Sequence, residues 1–136
     1  MAVMENSRIC LDTNMLISYL KERNPDASAV EKAVRQYNCY ITAITVYELL
    51  FGVYRAGKEI GESAILDVML VLPLNSAAAR RAAILHSELI SRNQDIGIKD
   101  VFIAAICLEH NIPLLTANER HFRRVNGLNV VSPRSL

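Results

Sequence analysis

Residues 8–14 read Arg-Ile-Cys-Leu-Asp-Thr-Asn (RICLDTN). Arg8–Leu11 is a short apolar run that reads as a strand, and it stops at an acid, Asp12. Thr13–Arg23 then carries Leu16, Ile17 and Leu20 at helical spacing until Asn24-Pro25 ends it. A strand running through an acidic junction into a helix is the first half of a β–α unit, and the rest of the chain repeats that alternation.

Asp26–Tyr37 is expected to form a second helix, capped by Asp26, with Ala29, Val30, Ala33 and Val34 on one face. Cys39–Thr42 reads as a short strand. Thr45 opens a helix to about Arg55, closed by Gly57. A further helix spans Glu59–Met69, and Val71–Leu74 is extended. Asn75 caps a long helix to about Asn93, Asp95–Ile98 forms a glycine-containing loop, and Lys99–His110 is a strongly apolar helix. Strands at Pro113–Leu115 and Asn129–Val131 complete the series. Strands separated by helices need crossover connections, so the expected class is α/β with a mostly parallel sheet. No repeat, low-complexity tract or linker divides the 136 residues, and a single domain over 1–136 is expected.

Composition narrows the class without naming a function. Hydrophobic residues make up 51% and charged residues 21%, which favours a filled core over disorder. The net charge of +1 identifies no partner, but residues 1–68 carry seven basic and nine acidic side chains against eight and five in 69–136. Arg120, Arg123 and Arg124 cluster in the second half, either as a phosphate-facing patch or as ordinary solvated residues. Cys10, Cys39 and Cys107 are widely spaced within apolar stretches, so they read as small buried hydrophobes rather than zinc ligands. MAVMENSR lacks the apolar stretch of a signal peptide, and a reducing, cytoplasmic setting is expected.

In open α/β sheets ligands bind at the carboxyl ends of the strands. Asp12 follows the first strand, and Ala43-Ile44 leads from the second into Thr45 and Glu48. The Pro113–Leu115 strand leads into Thr116-Ala117-Asn118-Glu119. Asp100 shares a helix face with Ile103, Ala104, Cys107 and Leu108, so its carboxylate is directed at a core edge. Such an acid is costly to ionise unless it is compensated. Acids converging on one sheet end also repel each other without a cation. Mg²⁺ prefers hard oxygen donors, and acids with Mg²⁺ suit phosphodiester hydrolysis.

Each residue has a plainer reading. Asp12 can cap its helix, and Asp100 can be a first-turn acid favoured by the helix dipole. Thr45-x-x-Glu48 and Thr116-x-x-Glu119 both have the form of capping boxes, and capping is the preferred role for Glu119. Asn14 and Asn118 are ordinary turn or cap residues. His86, His110 and His121 show no ligand spacing and no acid partner in the sequence.

Taken together, LDTN at 11–14, TVYELLFG at 45–52, GIKDVFIAA at 97–105 and LLTANERHF at 114–122 resemble a PIN domain. More narrowly, they resemble the VapC-type toxins of toxin–antitoxin pairs, in order and approximate spacing over nearly the whole chain. The resemblance implies a parallel sheet between two layers of helices, an acidic site for Mg²⁺ or Mn²⁺, and endonuclease activity on RNA giving 5′-phosphate and 3′-hydroxyl ends. It places the first three family acids on Asp12, Glu48 and Asp100. Thr116 matches the family's hydroxyl position. The fourth position, often Asp, falls on Asn118, which departs from a four-carboxylate site. The resemblance further implies a homodimer and an inhibiting antitoxin. Leu49, Leu50, Phe51, Val53, Ile60, Ile65 and Leu66 offer either interface or core for these contacts.

Two other readings compete with a ribonuclease. One is a regulatory RNA- or protein-binding module of the same fold with weakened catalysis, motivated by Asn118. The other is a phosphatase with an aspartyl nucleophile, but such enzymes want a second acid two residues on, where Asn14 stands.

Overall fold

In the computed structural model, which describes residues 7–136, the first strand divides its side chains between two cores. β1 (Arg8–Leu11) sends Ile9 and Leu11 into one apolar cluster and Cys10 into the other, as the two-residue period of a strand requires. β2 (Asn38–Thr42), β3 (Leu70–Leu72), β4 (Leu114–Leu115) and β5 (Val130–Val131) join it in the order β3-β2-β1-β4-β5. All four pairings are parallel. The expected sheet is thus wholly parallel among the described residues.

Helices cover both faces, giving three layers. On one side α1 (Thr13–Leu20) and α2 (Asp26–Gln36) bring Met15, Leu16, Val30 and Ala33 against Ile9, Ile41 and Leu115. On the other, α5 (Ser76–Ser91) and α6 (Ile98–Glu109) bring Leu85, Leu89, Ile103 and Cys107 against Cys10 and Leu114. α3 (Ala43–Ala56) contributes Leu49 to the first core and Ile44 to the second. α4 (Glu62–Val68) and the short α7 (Glu119–Phe122) complete the set, with Phe122 fully buried. Cys10 and Cys107 are buried and Cys39 half-buried, all three free, as small hydrophobes would be.

Several expected boundaries move, each for a local reason. α1 ends at Leu20, because Glu22 takes a positive φ of 55°. Asp26 is the first residue of α2 rather than its cap, and Asn24 Oδ1 accepts from the Ser28 amide at 3.0 Å. Thr42, not Thr45, caps α3: its hydroxyl accepts from the Thr45 amide at 3.3 Å. α3 closes on Gly57 at φ 71°, as expected. α4 starts only at Glu62, after Gly61 at φ 122°. α7 and a 3-10 turn at Pro133–Ser135 were not anticipated. Among the described residues no helix is long and apolar enough to cross a membrane. The start of MAVMENSR, residues 1–6, lies outside the described residues.

Candidate active site

The chain runs from β1 outward to β2 and β3, then returns to pair β4 with the opposite edge of β1. Connections diverge there, and a crevice opens at the carboxyl ends of β1 and β4. Asp12 stands in it, only 4% exposed. Its amide donates to Leu115 O at 3.0 Å, which pins the backbone to β4. Its Oδ1 accepts from the Thr13 amide at 2.9 Å, so the capping reading holds locally. Its Oδ2 accepts from the Thr116 hydroxyl at 2.8 Å, which ties the carboxylate to the neighbouring strand.

Thr13 is the second anchor. Its hydroxyl donates to Glu48 Oε1 at 2.8 Å and lies 2.8 Å from Thr45 Oγ1. The Thr45 amide is already given to Thr42, so Glu48 does not close a capping box and instead reaches across the crevice from α3. Asp12, Thr13, Thr42, Thr45 and Thr116 are the buried polar side chains of the described residues, and all five line this one place. Burying polar groups costs free energy unless they are bonded, and these satisfy one another.

Asp100 enters from the first turn of α6, half-buried, with His121 Nδ1 3.5 Å from its Oδ2. Burial, with the charges of Asp100 and Glu48 adding to it, raises the Asp12 carboxyl from its ordinary 3.8 to about 6, against the lowering effect of the Thr116 hydroxyl and the Thr13 amide. Burial likewise raises Asp100, with Glu48 adding to the rise and His121 opposing it. The acids therefore sense each other's charge. Among the described residues no three acids, histidines or cysteines draw together into a ready-made metal cage. Mg²⁺ does not need one, because it keeps several waters and usually takes only one or two carboxylates. The hard oxygen donors present fit such an ion.

Asn118 precedes α7 and its side chain makes no capping bond, while its amide donates to Thr116 Oγ1 at 2.9 Å. Thr116 thus bridges Asn118 and Asp12. Glu119 does not cap: the Thr116 amide it would need donates to Val131 O in the sheet, and Glu119 pairs with Arg123 at 3.1 Å. Arg124 donates to Asp95 O at 3.3 Å, so two of the three clustered arginines already have partners. Asp95 takes its loop role, accepting from the Gly97 amide at 3.0 Å.

Two histidines read as lacking acid partners have them: His86 lies 3.0 Å from Asp95, and His121 faces Asp100. The sequence signal for His121 was its place three residues after Asn118, which matters only once α7 is seen as a helix.

The profile of the PIN domain family matches residues 9–128. The chain belongs to the PIN domain family. Its relatives include VapC ribonucleases. It is 29% identical over 126 residues to the tRNA(fMet)-specific endonuclease VapC of Shigella flexneri, an alignment covering 89% of this chain and 94% of that one. It is 31% identical over 103 residues to Ribonuclease VapC1 of Rickettsia felis, covering 71% and 77%. Its fold is similar to the structure of VapBC-1 from nontypeable Haemophilus influenzae, with a TM-score of 0.79 and 25% identity over 93% of this chain and 98% of that one. In this PIN domain the four stretches 11–14, 45–52, 97–105 and 114–122 all deliver residues to the crevice or its rim.

Proposed function

We propose that this chain is an endoribonuclease dependent on Mg²⁺ or Mn²⁺ and the toxin of a toxin–antitoxin pair. The observation that carries the reading is Asp12: a nearly buried carboxylate at the crevice between β1 and β4, raised to about 6 by that burial, with the charges of Asp100 and Glu48 adding to the rise. A site that buries one acid within reach of the charges of two others is prepared for a cation. The chemistry such an ion supplies is neutralisation of phosphate charge and a lowered pKa for water.

Asp12 and Asp100 are the groups that would hold the ion directly. Thr13 and Thr116 fix the orientation of Asp12 through one hydrogen bond to each carboxylate oxygen. Glu48, steadied by Thr13, orients the attacking water, and Thr116 and Asn118 position water or phosphate. Water oxygen bonds to phosphorus as the bond to the 3′ oxygen breaks, leaving 5′-phosphate and 3′-hydroxyl ends.

An antitoxin partner is what the VapC-type resemblance implies, and the similarity to VapBC-1 supports it. A groove of about 690 Å³ beside the site, lined by Ile17, Leu20, Leu49, Gly52 and Ile60 and reaching Glu48, gives that partner a place to insert. Of the apolar residues on α3, α4 and the connection between them, Leu49 and Ile65 are core, while Phe51 and Ile60 are exposed and available for homodimer contacts. Cytoplasmic residence belongs to the same proposal, since three free cysteines suit a reducing compartment.

The test is cleavage of a broad RNA pool with Mn²⁺ by the parent and by Asp12→Asn. Loss of a direct ligand should cost more than about 100-fold, since losing an outer-shell partner alone costs about 10–100-fold. Equal cleavage by both proteins, with contaminating nuclease excluded, overturns the mechanism. A parent that neither binds Mn²⁺ nor cleaves RNA points instead to the weakened regulatory module that Asn118 raised.

A further inference from the structure

We propose that His121 is a positioning residue for Asp100, holding its carboxylate in the crevice through Nδ1. This rests on the reading of Asp100 as a direct ligand. The three acids are held unequally. Asp12 accepts two hydrogen bonds and Glu48 accepts one, whereas among the described residues no hydrogen bond reaches the Asp100 carboxylate. Asp100 sits on the first turn of α6 with its side chain 28% exposed, and no hydrogen bond among the described residues fixes its torsions.

His121 supplies the missing contact. Its Nδ1 is buried, has no other hydrogen-bond partner, and lies 3.5 Å from Asp100 Oδ2. A small ring rotation turns that approach into an N–H···O bond, and the tautomer with the proton on Nδ1 makes it without any charge on the ring. The remaining cation near Asp100, Lys99, stands with its Nζ 6.0 Å from the centre of the Tyr47 ring. The short α7 that carries His121 is firmly placed. Phe122 next to it is fully buried in the core, and the Asn118 amide is bonded to Thr116. The stretch from Thr116 into α7 thus connects both ends of the crevice: Thr116 and Asn118 at the Asp12 end, His121 at the Asp100 end. Partners of this kind orient a ligand without touching the ion, and their loss weakens metal affinity.

The experiment is calorimetric Mn²⁺ titration of the metal-free parent, His121→Ala, His121→Asn and His121→Gln, each with a thermal melt. An Asn side chain places its amide nitrogen where Nδ1 lies, and a Gln side chain where Nε2 lies. His121→Ala and His121→Gln should bind Mn²⁺ about tenfold more weakly with unchanged melting, and His121→Asn should bind like the parent. Alanine binding as tightly as the parent overturns the assignment, as do Asn and Gln variants that behave alike. The Asn–Gln comparison carries the test if the alanine variant folds poorly. A parent that binds no Mn²⁺ sinks the functional reading itself, and this assignment with it.

Discussion

The two sides of the crevice are built differently. At the β1–α1 junction, Asp12 and Thr13 are buried and tied by hydrogen bonds to β4, α3 and the loop after β4. At the start of α6, Asp100 is half-buried and faces only a histidine at 3.5 Å. The first side is part of the folded framework, because its buried polar atoms depend on one another for their hydrogen bonds. The second rests on that single approach. The contrast teaches that position at a site and contribution to stability are separate properties, even for acids proposed to share one ion.

The largest effect should come from the charge on Asp12. Unfolded, the side chain loses its proton near 3.8; folded, it keeps it to about 6. Between those values the folded state binds more protons, so metal-free stability falls as pH rises through the window and stays lower above it. The full difference is about 3 kcal/mol. Asp12→Asn removes the charge but leaves an amide N–H facing a donor. It should therefore raise metal-free stability at pH 7.5 by about 1–3 kcal/mol and flatten the pH 4–6 dependence, read from urea unfolding at several pH values. Mn²⁺ should stabilise the parent, by about 2.7 kcal/mol at 100 times its dissociation constant, and leave the variant unmoved. A parent whose stability rises from pH 4 to 6 breaks this account.

The next effect separates the two sides directly. Thr13→Val keeps shape but strips the donor from Glu48 and the partner from Thr45, which should cost about 1–3 kcal/mol of stability. Asp100→Asn keeps an acceptor oxygen for His121 and relieves a carboxyl raised by burial, so the metal-free variant should melt at or above the parent temperature. Melts of both, without metal, decide it. If Asp100→Asn is as damaging as Thr13→Val, the two sides are not different in kind.

Much of this was legible before the fold was known. Arg8–Leu11 is short and mostly apolar, so the strand and the acid at its end could be read directly, and a mostly parallel sheet followed from alternation. Asp100 was legible because helical spacing ties it to Ile103 and Cys107. What could not be read were bonds between elements far apart in sequence. Thr13 to Glu48 spans 35 positions and Thr116 to Asp12 spans 104, and no periodicity encodes either. The threonines looked like caps because a hydroxyl beside a helix start has that local use; only the folded chain shows Thr42 filling the cap and freeing Thr45 and Glu48 to face the crevice. His121 was missed because a four-residue helix gives too little pattern to detect.

The smallest effect sharpens the same distinction at the rim. Glu119 has the spacing of a capping acid, but the Thr116 amide is committed to Val131 O at 3.1 Å in the sheet, and the carboxylate points to Arg123 instead. That pair is exposed, and exposed i,i+4 pairs contribute only about 0.3–0.5 kcal/mol. Glu119→Gln should therefore shift the melting temperature by no more than about 1–2 °C, less so in high salt, and leave Mn²⁺ binding unchanged. A true capping acid would show a loss that persists in high salt, because its hydrogen bond to a helix amide does not depend on screening. A salt-insensitive loss of about 1 kcal/mol in Glu119→Gln would mean that the Thr116–Val131 bond opens in solution, and with it the end of β4 that holds Thr116 against Asp12.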